Sequence, residues 1–177
     1  MSQKIKMIRR RIREDDKYQR FKAAHKNNPN NVINFDGLHE EMNRIHKTRS
    51  VRSLKRKPRG FVDDVVDALL QDQQARSRCA EIMGNCVTIS GTMTQTLDNL
   101  RDYLVTEFSD LLKSVGTVGE RKMVVESVLR PFYEYLNNVE QIRAHAKIII
   151  EDVDKAGYGF TNLVNSLQLL SRPERIL

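Results

Sequence analysis

His39 and Glu40 open a pattern close to His-Glu-x-x-His, in which two imidazoles on one helix face hold zinc and the carboxylate serves as general base. Asn43 stands where the second imidazole belongs. His46 follows His39 by seven residues, two helical turns or about 10 Å, too far for both to share one ion from a straight helix. No metal is expected here. Asp63, Asp64 and Asp67 offer the oxygen ligands that hard cations prefer. They also follow Pro58 and Gly60 at the expected start of a helix, where carboxylates complement the dipole. The structural role is the preferred reading.

Glu151, Asp152 and Asp154 fall near the expected end of a helix, the unfavourable end for acids. They are read as a solvated face or a docking point for a basic partner. His145 is expected at a surface or an interface. The phosphate cradles G-x-x-x-x-G-K-[ST] and G-x-G-x-x-G and the nucleophile elbow G-x-S-x-G are absent. No catalytic residue and no cofactor is expected, and the chain is read as a non-enzyme. Cys79 and Cys86 are the only cysteines. Seven residues apart on one helix they stand about 10 Å from each other, beyond disulfide reach, and are expected to act as small apolar side chains in a reducing compartment.

Positive charge is the stronger chemical signal. The 177-residue chain carries a net +7. Residues 1–60 hold 18 Lys and Arg against 6 Asp and Glu, whereas residues 61–177 hold 12 against 17. A basic arm on a mildly acidic body points to nucleic acid, an anionic membrane or an acidic protein surface as partner of the arm. The candidate contacts are Arg44, Lys47, Arg49, Arg52, Lys55, Arg56, Lys57 and Arg59, with Arg9, Arg10, Arg11 and Arg13 upstream. Lys and Arg at irregular spacing among Thr48, Ser50 and Ser53 suit phosphate contacts that position a protein without reading bases. The run has no aromatic ring to stack on a base. Residues 53–59, SLKRKPR, resemble short nuclear-import signals. A membrane-surface role lacks a Trp and a wide apolar face.

Helices must position these groups. Ile5, Ile8 and Ile12 make a narrow apolar stripe on a charged cylinder spanning about residues 3–26, extended by Tyr18 and Phe21 and stopped by NNPNN at 27–31. A short second helix begins near Asp36 and carries Leu38, Met42 and Ile45. Neither has enough apolar surface to fold alone, so both are expected to dock on the body, another subunit or an anionic polymer. From Phe61 the pattern lengthens. Met93, Leu97, Leu100, Leu104, Phe108, Leu111 and Val115 recur at intervals of 4, 3, 4, 4, 3 and 4, a nearly straight helical seam. Gly84 and Gly91 predict a kink, or a break into two helices, near 84–91.

VGTVGE at 115–120 reads as a hairpin turn. Val125, Val128, Phe132, Leu136, Val139, Ile142, Ala146, Ile149 and Val153 stripe the returning helix, with Pro131 kinking it or marking its first turn. AGYGF at 156–160 predicts a stop, followed by a short C-terminal helix.

The expected fold is all-α: a basic, partly helical N-terminal arm over 1–60, then over 61–177 a long antiparallel helical hairpin with a short C-terminal helix, which serves as an oligomerisation domain. Its seam is Met93, Leu97, Leu100, Leu104, Phe108, Leu111, Phe132, Leu136, Val139 and Ile149. Two long helices bury only a narrow seam, so self-association or a place in a larger complex is expected. No apolar run of transmembrane length occurs and the start lacks the apolar core of a signal peptide, so an intracellular setting, cytoplasmic, nuclear or within a virus particle, is expected. Function is read as structural assembly, the arm lying on neighbours or on nucleic acid. The alternative is a DNA- or RNA-binding accessory subunit of packaging or recombination, a plan that resembles the phage small terminase subunit without a shared motif.

Overall fold

A computed structural model describes residues 3–27, 34–47 and 61–170. The described residues are nearly all helical and include no strand. The order is α1 (Gln3–Glu14), α2 (Asp16–Asn27), α3 (Phe35–Lys47), α4 (Phe61–Glu107), α5 (Ser109–Lys113) and α6 (Val118–Leu170). The long helix α4 pairs with the later long helix α6. The run from Thr48 to Gly60, with most of the basic candidates, lies outside the described residues.

The single helix expected over 3–26 is two. Asp15 interrupts it: its backbone N–H donates to the Ile12 carbonyl at 3.3 Å, and its Oδ1 accepts from the Tyr18 N–H at 2.9 Å. An aspartate satisfying an orphan N–H three residues on is an N-cap. It starts α2 afresh while keeping Tyr18 on the apolar side.

Neither the break expected near 84–91 nor the stop expected at 156–160 occurs. α4 is unbroken through Gly84 and Gly91, and α6 runs through Gly157 and Gly159 to Leu170. The separate C-terminal helix is therefore part of α6. A glycine stop uses a left-handed residue, and Gly116 alone among the described residues has a positive φ, 128°. Helical glycine costs about 1 kcal/mol, whereas burying an Ile or Val side chain contributes about 1.5–3 kcal/mol. Buried Ile82, Cys86 and Met93 flank the first pair, and buried Val153 precedes the second. Packing outweighs propensity. Pro131 lies inside α6.

The turn stands where VGTVGE placed it, at Ser114–Thr117. Glu120 Oε2 accepts from the Thr117 N–H at 2.7 Å, and Thr117 Oγ1 accepts from the Glu120 N–H at 3.4 Å, a capping box that starts α6. A Cβ on Gly116 would collide with the Glu120 carboxylate.

Two compact units divide the chain, and both long helices contribute to each. The first takes residues 1–35 and 85–141. Its core joins Ile8, Ile12 and Tyr18 to Met93, Leu97, Leu100 and Leu104, and to Leu112, Val124, Val125, Val128, Leu129 and Phe132. The second takes residues 36–84 and 142–177. Within it Met42, Ala68, Cys79, Ile82, Ile142, Ala146, Ile149 and Val153 are buried. Cys79 and Cys86 form no disulfide and are both buried, and burial pushes the Cys79 thiol pKa up.

Candidate nucleic-acid interface

α1 and α2 are held to the first unit by their apolar sides. Ile8 and Ile12 are fully buried, and Tyr18 and Phe21 meet Phe132 edge-on at centroid distances of 6.2 and 4.8 Å. His25 packs edge-on against Phe132 at 5.3 Å and Tyr135 at 4.8 Å, and this burial lowers its pKa. Such edge-to-face contacts add to the area they bury. The basic arm's helices are thus part of this chain's own core.

Anchoring the apolar side fixes which residues face out. Lys4, Lys6, Arg10, Arg11, Arg13, Lys17, Arg20, Lys22 and Lys26 are all exposed, while Arg9 is half-buried. The acids of the same segment are partly engaged elsewhere. Glu14 pairs with Arg10 at 2.8 Å, and Asp15 turns inward, accepting from Tyr103 Oη at 3.1 Å as well as from the Tyr18 N–H. Lys17 Nζ lies 4.0 Å from the centre of the Tyr103 ring. Burial, then the Asp15 contact, raises the Tyr103 pKa, so the phenol remains a donor at neutral pH. Exposed ammonium and guanidinium groups on a fixed helical surface can meet phosphate oxygens without reading bases.

The other predicted contacts fall elsewhere. Arg44 and Lys47 are exposed on α3, and Arg44 acts on the Glu41 carboxylate. Arg49, Arg52, Lys55, Arg56, Lys57 and Arg59 lie outside the described residues. The basic residues of α2 were not singled out by sequence. Their signal was present in the continuing 3.6-residue pattern, which leaves Lys17, Arg20 and Lys22 off the Tyr18–Phe21–His25 face.

Among the seam residues, Met93, Leu97, Leu100, Leu104, Phe132, Val139 and Ile149 are buried within the chain itself, and Phe108 and Leu136 are half-buried. Leu111 is 38% exposed, and Leu112, at 1%, takes the inward place. The cause is the interruption at Phe108 (φ −95°, ψ 17°), which resets the face by one residue before α5. Val124 and Leu129 are also buried. They belong to the same core as Ile8, Ile12 and Tyr18.

The acids near 151–154 are not at a helix end, because α6 continues to Leu170. Asp154 pairs with Arg76 of α4 at 2.7 Å, which holds its pKa low, and Glu151 lies 3.8 Å from Lys147. His145 faces His39 of α3, with ring centroids 6.3 Å apart. Among the described residues no group of three or more His, Cys, Asp or Glu is placed to hold a metal ion, and no helix is long and apolar enough to cross a membrane.

Compared with protein-family models, curated proteins and solved structures, the chain finds no match in any of the three.

Proposed function

We propose that this chain is a non-enzymatic, sequence-independent nucleic-acid-binding subunit of a larger assembly, with the outer face of α1 and α2 as its rigid contact surface. The observation that carries this reading is the pairing of buried Ile8, Ile12 and Tyr18 with exposed Arg11, Arg13, Arg20 and Lys22 on the same two short helices. Cations held in place by a core lose less freedom on meeting a polyanion than cations on a free tail. The run from Arg44 to Arg59 adds charge to the same partner.

Deleting the arm is a poor test, because it would also remove core side chains. Charge reversal at Arg11, Arg13, Arg20 and Lys22 to Glu leaves the buried side intact. Fluorescence anisotropy with a labelled duplex should then show at least a tenfold loss of affinity at low salt. Unchanged affinity would count against this surface.

A second reading, self-association, is favoured by the second unit. We take α4 and α6 as an antiparallel hairpin there, since Arg76 meets Asp154 while the earlier Val65 and Leu69 share a groove with the later Phe160 and Thr161. That groove, about 770 Å³, is bordered by exposed Val66 and Tyr158, with Leu70 also exposed on α4. Sedimentation of wild type and a Tyr158→Asp variant tests it. A shared monomeric value would remove self-association from the account.

A further inference from the structure

A nucleic acid can be gripped at its phosphates or at its bases, and the side chains that grip bases without reading them are rings. Proteins that hold single strands in this way combine a basic groove with exposed aromatic side chains on which successive bases stack. The chain has no Trp, and residues 1–60 contain only three Phe and Tyr, namely Tyr18, Phe21 and Phe35.

All three rings are committed to α6. Tyr18 is buried and meets Phe132 at 6.2 Å, half-buried Phe21 meets the same ring at 4.8 Å, and half-buried Phe35 meets Tyr135 at 5.2 Å. The α2 imidazole, His25, packs against Phe132 and Tyr135. Beside these helices stands the α4 ring of Tyr103, itself half-buried, with Lys17 Nζ over its face at 4.0 Å and its hydroxyl donating to Asp15. Among the described residues, the outward side of α1 and α2 thus presents cations and no aromatic ring.

Lys6, Arg11 and Arg13 on α1 and Arg20, Lys22 and Lys26 on α2 are all exposed, on helices that Ile8, Ile12 and Tyr18 fix to the core. Each helix has 12 residues and is about 18 Å long. A duplex carries one phosphate charge per about 1.7 Å of axis, twice the density of either strand, and is stiff over about 150 base pairs. It can meet a fixed array of cations without first being ordered. A single strand must be straightened to do so, and here it gains no stacking in return.

We propose that this surface selects double-stranded over single-stranded nucleic acid, because it offers fixed charge and no ring on which a base can stack. The inference rests on the reading of α1 and α2 as a nucleic-acid contact and names the form of polymer that the contact takes.

Fluorescence anisotropy on the full-length chain tests this, with a mixed-sequence duplex of about 30 base pairs and an oligothymidine strand of the same length as probes at about 50 mM salt. The duplex should bind at least about tenfold tighter. Ala23→Trp supplies the missing ring at an exposed position three residues from both Arg20 and Lys26. It should raise single-strand affinity about tenfold and leave duplex affinity within about twofold. If the wild type bound the two probes equally, or the strand more tightly, the preference would be overturned while the surface stood. If Ala23→Trp brought no gain on the strand, the cause given for the preference would be wrong. Binding of neither probe by the wild type would remove the surface and its preference together.

Discussion

Arg78 of α4 grips Glu41 of α3 with two bonds, Nε to Oε1 at 2.9 Å and Nη2 to Oε2 at 3.3 Å. The fork geometry matches guanidinium to carboxylate and lowers the Glu41 pKa below its ordinary 4.5, first through that hydrogen bond. Glu41→Gln should destabilise α3 by less than about 1 kcal/mol, since both side chains keep access to water. A depressed carboxylate contributes above its unfolded pKa, and that contribution is lost as pH falls through the lowered folded value. Urea melts of wild type and variant should therefore differ at pH 7 and converge in strong acid.

Ile8 and Ile12 make the basic helices part of the core. Ile12→Ala should cost about 2–5 kcal/mol, measured as a shift in the urea midpoint. Exposed Arg11→Ala next to it should change stability by less than about 0.5 kcal/mol. Equal, small effects would mean that α1 is not docked.

Asp15 serves two donors, the Tyr18 N–H and Tyr103 Oη. Asp15→Ala should cost about 1–2 kcal/mol through the lost cap and should loosen α2, seen as faster exchange of its first-turn amides. Asp15→Asn, which keeps an acceptor oxygen, should recover most of the loss.

How far this was legible turns on what kind of information each residue carries. The α6 stripe from Val125 to Val153 could be read because its members obey one period and all but half-buried Leu136 are buried. The turn at 114–117 could be read from its glycines, and Thr117 and Glu120 spell its cap locally. The continuity of α4 and α6 was not legible. Propensity at Gly84, Gly91, Gly157 and Gly159 argues for interruption, and only the partner surface provides the energy that overrides it. Leu112 in place of Leu111 depends on a backbone shift at Phe108 that no side-chain pattern announces. Of the candidate surface, the positive residues of α1 were visible in the sequence. Their fixed outward direction was not, because it depends on where Ile8, Ile12 and Phe132 meet.

The glycines divide by environment in a way that stability measurements can check. A Cβ at Gly84, Gly91, Gly157 or Gly159 would meet nothing within 4 Å, so alanine at each should stabilise by about 0.4–1 kcal/mol. Gly116→Ala should do the reverse by at least about 1 kcal/mol, because φ is 128° and the new methyl would strike the Glu120 carboxylate. Thermal melts of the five variants should show this change of sign.

The salt dependence of nucleic-acid binding by the intact chain bears most directly on the central claim. Affinity for two unrelated duplex sequences should fall together as salt rises from about 50 to 200 mM, with a log–log slope of about −4 or steeper, and the α1–α2 charge-reversed variant should show a shallower slope. Absence of binding at the lowest salt, or a slope near zero on both sequences, would contradict it.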